Sequence, residues 1–163
     1  MFVRNKVLNP TMMFFLGLGL GIVTRLFDIY TEHLGKMFSQ MAIWILIGTL
    51  ISIYSKTPKK AMFNVLPFCI GMLITYYVVA ALTDGVYGKA FMIGWTVFAA
   101  CSPVMAYFTW MTKKKGVFPF IIRIGIVAVS LLSSVVIFRG PQIYDFIIDG
   151  ILIYFLLFKK IQR

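Results

Sequence analysis

The chain has 163 residues, of which 61% are hydrophobic and only 13% charged, and its formal net charge is +11. A soluble domain carries about 25% charged residues, and a soluble protein of this length has too small an interior to hide so much apolar surface. The basic residues lie in short clusters between apolar runs, as in loops beside a membrane. The composition therefore predicts an integral membrane protein in contact with the lipid bilayer, and it argues against a nucleic-acid partner.

Six apolar stretches are candidates for membrane spans, each of which needs about 20 residues. They cover approximately residues 11–27, 39–54, 61–82, 90–111, 117–138 and 143–158, and the second and sixth are short. Asn9 and Pro10 are a plausible cap and first position of the first helix. No cleavage site follows the first stretch, so we expect it to be retained as a span. Short connections predict antiparallel neighbours within a single domain over residues 1–163.

The distribution of lysine and arginine predicts the orientation of these spans. The loops SKTPKK and TKKKG fall on one side of the membrane together with the basic ends of the chain. Since cytoplasmic loops are enriched in basic residues, both termini are predicted to be cytoplasmic. The predicted fold is therefore an all-α, polytopic bundle of six transmembrane helices in a bacterial cell membrane. All five acidic residues then lie on the outer side or in the outer half.

The last apolar stretch carries two acids, Asp145 and Asp149, one helical turn apart. Charged residues inside a span usually face the protein interior. Helix rise places Asp149 about 10 Å below the outer surface and Arg25 about 20 Å from the inner one, which is the same height in a core about 30 Å thick. We therefore predict a pair between Arg25 and Asp149 if the first and last helices touch. Asp28 competes for Arg25 on the same helix face.

Four large aromatic residues fall at a similar depth in the outer half: Trp44, Tyr76, Tyr77 and Trp95. Together with Arg25, Asp145 and Asp149 they are predicted to line a substrate-binding pocket that opens to the outside. Two alternatives stay open. The aromatic residues pack between helices or face lipid, and the charged pair only stabilises the bundle.

Gly17 and Gly21 lie four residues apart in the first span. This small-xxx-small spacing allows two helices to approach closely. We predict an interface here for a membrane-protein partner, with packing inside the chain as the alternative.

The sequence contains no motif that favours catalysis or metal binding. Both aspartates of the last stretch lie on one helix, whereas an aspartyl protease needs two carboxylates facing each other from different elements. Cys69 and Cys101 lack metal-type spacing and are expected to be small buried hydrophobic residues. No zinc, P-loop or nucleophile-elbow motif is present, so neither a metal nor a cofactor is predicted, and an enzyme is not the favoured interpretation.

The third and fourth spans contain TYYVVAAL and GWTVFAACSPVMAYFTW. These segments resemble an uncharacterised family of small multi-spanning bacterial membrane proteins, which has a tyrosine pair and then a tryptophan span with a small-Pro-x-x-small turn. The corresponding positions are Tyr76, Tyr77, Trp95, Ser102, Pro103 and Ala106. The family implies no activity. The layout is also similar to that of the substrate-binding subunits of energy-coupling-factor transporters, which implies solute capture outside and docking through the first helix.

The leading functional hypothesis is a small-solute-binding or transport subunit with its pocket in the outer half of the bundle. The alternative is a non-catalytic accessory or assembly subunit of a larger membrane complex. In that case the charged pair is structural and the glycine seam is the interface.

Overall fold

The computed structural model describes residues 8–83, 89–136, 140 and 142–159. Over this part of the chain the fold is all-α, as predicted. Its helices are α1 (Pro10–Tyr30), α2 (Glu32–Ser39), α3 (Met41–Tyr54), α4 (Pro58–Leu82), α5 (Lys89–Met111), α6 (Val117–Val136) and α7 (Ile143–Ile153), and a π-helical turn (Tyr154–Phe158) continues α7.

Side-chain caps define where two of the long helices begin. Asn9 accepts a hydrogen bond of 3.3 Å from the backbone N–H of Thr11, and Pro10 occupies the first helical position. Thr57 caps α4 in the same way, because its hydroxyl accepts from the N–H of Lys60 at 3.1 Å. Each side chain satisfies a donor that the first helical turn leaves without a partner. The predicted start of the first span is confirmed.

Four of the described helices are long and apolar enough to cross a membrane: α1, α4, α6 and the part of α5 from Phe91 to Met111. A bend of 59° at Gln40 joins α2 to α3, and this pair becomes a fifth candidate if it is one broken span. The last helix is short, with eleven residues in α7 and five in its π-helical turn. The protein is thus a multi-pass membrane protein, while six spans and cytoplasmic termini stay predictions.

The closest helix contact in the bundle joins α1 to α4. A Cβ built on Gly17 would overlap the carbonyl oxygen of Phe68, and one built on Gly21 would overlap the carbonyl oxygen of Met72. Gly71 of α4 lies just as close to the backbone of Phe14. The three glycines therefore let the two backbones touch. This corrects the predicted interface for a partner protein, since α4 of the same chain already covers Gly17 and Gly21.

The helix α3 lies at the centre of the bundle, in contact with α4, α5, α6 and α7. One side of α3 packs into an aromatic core around Trp44, Phe68 and Trp95. Another side packs against α7 through Ala42 and Leu46. By contrast, α5 and α6 each contact α3 more extensively than they contact each other. The bundle is thus closed on the α1–α4 side and more open between α5 and α6.

Candidate functional site

The acidic residue at the end of α1 organises one polar cluster. Asp28 accepts hydrogen bonds from the Tyr76 hydroxyl at 2.5 Å and from the Ser39 hydroxyl at 3.2 Å. Arg25, one turn earlier, lies 3.8 Å from the same carboxylate and 5.9 Å from the centre of the Tyr76 ring. Asp28 therefore ties α1 to both α2 and α4.

The predicted pair between Arg25 and Asp149 does not form. Arg25 forms a salt bridge with Asp28 instead, the residue that was expected to compete for it on the same face of α1. The reason lies in the order of the helices, because α1 packs on α4 and α2 whereas α7 packs on α3 and α6. Equal depth in the membrane is necessary for such a pair, but it does not make two helices neighbours.

The two acids of α7 have different surroundings, although both are buried. Asp145 accepts a hydrogen bond of 2.8 Å from the backbone N–H of Gln142. The side-chain amide of Gln40 is assigned the orientation in which its nitrogen and its oxygen both have hydrogen-bond partners. In this orientation the nitrogen donates to both oxygens of Asp145, and the oxygen accepts from the Tyr144 hydroxyl at 3.1 Å. Gln40 is the residue at the bend between α2 and α3, so this network fixes the bend against α7.

Asp149 has no such network. Neither of its carboxylate oxygens has a hydrogen-bond partner among the described residues, and the same holds for the buried hydroxyl of Ser130 on α6. The Ser130 hydroxyl faces this carboxyl but makes no hydrogen bond to it. Sequence inspection had missed Ser130, although the run of serines on α6 was a visible signal of a polar helix face.

The four aromatic residues predicted to share a pocket do come together. Trp44, Tyr76, Tyr77 and Trp95 all line one cavity, with Thr24 and Ser39 also in its wall. Trp44 and Trp95 meet edge to face, with ring centres 6.5 Å apart. The cavity measures only about 20 Å³, which is room for about one water molecule. Arg25, Asp145 and Asp149 are not among its lining residues.

A larger groove of about 410 Å³ lies between α3, α4, α5 and α6. Its volume is within the range of small-molecule sites. Its walls are mostly apolar and include Phe98, Met105, Phe108, Ile121, Ile126 and Val129. Trp44 lines both this groove and the small cavity described above. This groove does not coincide with the pocket predicted from the sequence.

Two glycines create much of the space in this groove. Nothing lies within 4 Å of a Cβ built on Gly48 of α3 or on Gly125 of α6. The groove has four hydroxyl-bearing residues in its wall, one of which is Thr49. The other three donate to a carbonyl of their own helix: Ser52 to Gly48 at 2.7 Å, Ser102 to Ala99 at 2.7 Å and Thr109 to Met105 at 2.8 Å. These hydroxyl protons are thus already bonded, so the groove is suited to an apolar ligand.

The two lysine-rich loops lie at one end of this groove, because they connect the helices that line it. Residues 55–57 link α3 to α4, and residues 112–116 link α5 to α6. In the second loop Lys113 donates to the carbonyl of Lys159 at 2.9 Å, whereas Lys114 and Lys115 are exposed. Lys56, Lys59 and Lys60 are exposed as well. This end of the groove therefore carries a cluster of solvent-accessible positive charge.

A comparison with protein families adds one assignment. A family model described as "Family of unknown function (DUF6518)" matches residues 3–142. The chain belongs to this family. The matched part of DUF6518 includes α1 to α6, and hence the groove and the Asp28 cluster, while α7 follows it. The predicted resemblance to a membrane-protein family without an assigned activity is confirmed.

Comparison with curated proteins gave no match, and neither did comparison with solved structures. The similarity of layout to energy-coupling-factor subunits stays a prediction.

Proposed function

We propose that this DUF6518 protein binds an anionic amphiphile of the membrane. The hydrocarbon chain occupies the groove between α3, α4, α5 and α6, and the headgroup lies at the two lysine-rich loops. The observation that carries this proposal is the combination of one apolar groove of about 410 Å³ with positive charge at one of its ends. The proposal keeps the predicted binding function but moves the site from the outer half towards the lysine loops.

Two physical arguments support an amphiphile over a polar solute. The groove offers few polar groups, and three of its four hydroxyls, those of Ser52, Ser102 and Thr109, already donate within their own helices. A polar solute would lose its bonds to water there without replacement. Exposed lysines near a membrane surface each attract an anionic lipid by about 1 kcal/mol. A neutral lipid gains nothing from them, so we expect preference for negative charge.

Our second proposal is that the protein binds a polar solute in the outer half of the bundle and takes part in its transport. It would require the cavity around Trp44, Tyr76, Tyr77 and Trp95 to widen well beyond about 20 Å³. The apolar groove needs no such rearrangement, and we therefore favour it.

The test uses the full chain in detergent, with phosphatidylglycerol and phosphatidylcholine of identical acyl chains as probes. We expect phosphatidylglycerol to raise the melting temperature and to be retained in native mass spectra, and phosphatidylcholine to do neither. Gly125→Leu fills the groove and should abolish the effect. Gly94→Leu is the matched control, because Gly94 also has open space around it but does not line the groove.

The headgroup half of the proposal is tested separately. Replacing Lys114 and Lys115 by glutamine should weaken phosphatidylglycerol binding about fivefold per lysine, which corresponds to about 1 kcal/mol each. Lys36→Gln is the control, since Lys36 lies on α2 away from the groove. Equal binding of the two lipids, or unchanged binding to Gly125→Leu, would overturn the proposal. Purification with a stable partner protein and without lipid would support an accessory subunit instead.

A further inference from the structure

The two carboxyl groups of α7 lie one helical turn apart, yet only one of them is satisfied. Asp145 is 0% exposed and accepts from Gln40 and from the N–H of Gln142. Asp149 is 3% exposed, and both of its oxygens lack a hydrogen-bond partner in the part of the chain that the structure describes. A group that costs so much to bury without partners calls for an explanation.

Among the residues that the structure describes, no lysine or arginine forms an ion pair with Asp149. On α6, Ser130 faces this carboxyl, and its hydroxyl is buried and also lacks a hydrogen-bond partner. Ser133 donates to the Ser130 carbonyl at 2.7 Å and is therefore already engaged. From α3, the side chains that pack around the neighbouring turns of α7 are the apolar Ala42 and Leu46.

The charged and titratable groups on these elements do not favour ionisation either. Among the described residues, Asp145 is the acidic neighbour of Asp149, one turn earlier on α7, and a negative charge there would oppose one on Asp149. Tyr144 lies at the start of α7 and is bonded to Gln40. On the neighbouring helices, Tyr54 is the last residue of α3 and Arg123 lies in the first half of α6, two turns before Ser130.

Among the described residues, an ionised carboxylate in this position would have no opposite charge and at most the Ser130 hydroxyl as a donor, so it would cost several kcal/mol. A protonated carboxyl avoids this cost, and its O–H can donate to the free lone pairs of the Ser130 hydroxyl. The two carboxyl oxygens and one hydroxyl supply only three of the six or more oxygen ligands that magnesium and calcium take, so water would have to supply the rest. No group of three or more metal-ligating residues is present among those the structure describes.

We propose that Asp149 is a proton-binding site inside the membrane. Its carboxyl holds the proton and shares it in a hydrogen bond with Ser130. The proton is taken from water and returned to water, so the exchange needs no redox partner or co-reactant. This site is separate from the lipid groove, and either proposal can hold if the other fails.

Infrared spectroscopy of the protein in liposomes tests the proposal directly, because a protonated carboxyl has a C=O band distinct from that of a carboxylate. The chain has only five Asp and Glu residues, so few groups contribute. We expect a protonated-carboxyl band at about pH 7, where an ordinary Asp is ionised. The band should disappear in Asp149→Asn and persist in Asp145→Asn. Ser130→Ala should shift its frequency, because the hydrogen bond is lost.

Thermal stability provides a second readout that does not depend on the band. Asn is close in shape to a protonated Asp, so Asp149→Asn should fold and melt at the wild-type temperature or above it. Absence of the band at pH 7, or its persistence in Asp149→Asn, would overturn the proposal. Saturable loss of the band on adding sodium at constant pH would also overturn it, since this would identify a metal cation as the ligand.

Discussion

Two sides of the bundle use glycine for opposite purposes. On the α1–α4 side, Gly17, Gly21 and Gly71 have backbone atoms where a Cβ would be. On the groove side, Gly48 and Gly125 have nothing within 4 Å of that position. Each glycine leaves space where a side chain would be. On the α1–α4 side the backbone of the neighbouring helix occupies that space, and on the groove side it stays empty. The first side is therefore a close backbone contact, and the second is an open groove.

The largest loss of stability is expected from adding a side chain in the close contact between α1 and α4. Gly17→Val should destabilise the protein by about 3 kcal/mol, because the new side chain would overlap the backbone of Phe68. Unfolding in mixed detergent micelles measures this change. Gly125→Val is the matched control and should lose little stability. Similar losses in both variants would contradict the comparison.

A second prediction concerns the polar link that reinforces the α1–α4 side. Tyr76→Phe removes the hydrogen bond of 2.5 Å to Asp28, which joins α4 to α1. Hydrogen bonds to charged groups contribute about 1.5–3 kcal/mol, so we expect a loss of that size. The same unfolding assay applies, with Tyr107→Phe on the more exposed part of α5 as the control. A loss equal to that of the control would show that Asp28 finds another donor.

On the groove side, a substitution at glycine is expected to increase stability slightly. Gly125→Ala should stabilise α6 by about 0.5–1 kcal/mol, because alanine favours a helix over glycine and its methyl group meets no other atom. Thermal melting in the absence of added lipid measures this gain. A clear loss of stability would mean that another group occupies the groove at this point.

The smallest effect is expected at the exposed ion pair of α2. Lys36 and Glu32 are 2.6 Å apart, and both side chains are mostly exposed to solvent. Solvent and side-chain entropy offset the attraction in such pairs. Lys36→Met should therefore leave the melting temperature unchanged. A measurable drop would show that α2 depends on this pair and not on its links through Ser39 and Gln40.

The position of the aromatic residues around the cavity could be predicted from the sequence. Helix rise placed Trp44, Tyr76, Tyr77 and Trp95 at one height, and they do share a cavity. The same reasoning failed for Arg25 and Asp149, because two residues at equal height lie together only if their helices are neighbours. It also missed the groove, since empty space between four helices leaves no periodic pattern on any of them.

The sequence by itself determined the all-α membrane fold, the cap at Asn9 and the local competition of Asp28 for Arg25. These features depend on composition or on residues within one or two helical turns. The tertiary structure alone decided that α1 packs on α4, that the glycines face that contact, and that Asp149 lies opposite Ser130. The physical reason is that an apolar helix surface has a similar free energy against lipid and against another helix. Shape complementarity and a few polar contacts therefore determine which helices pack together.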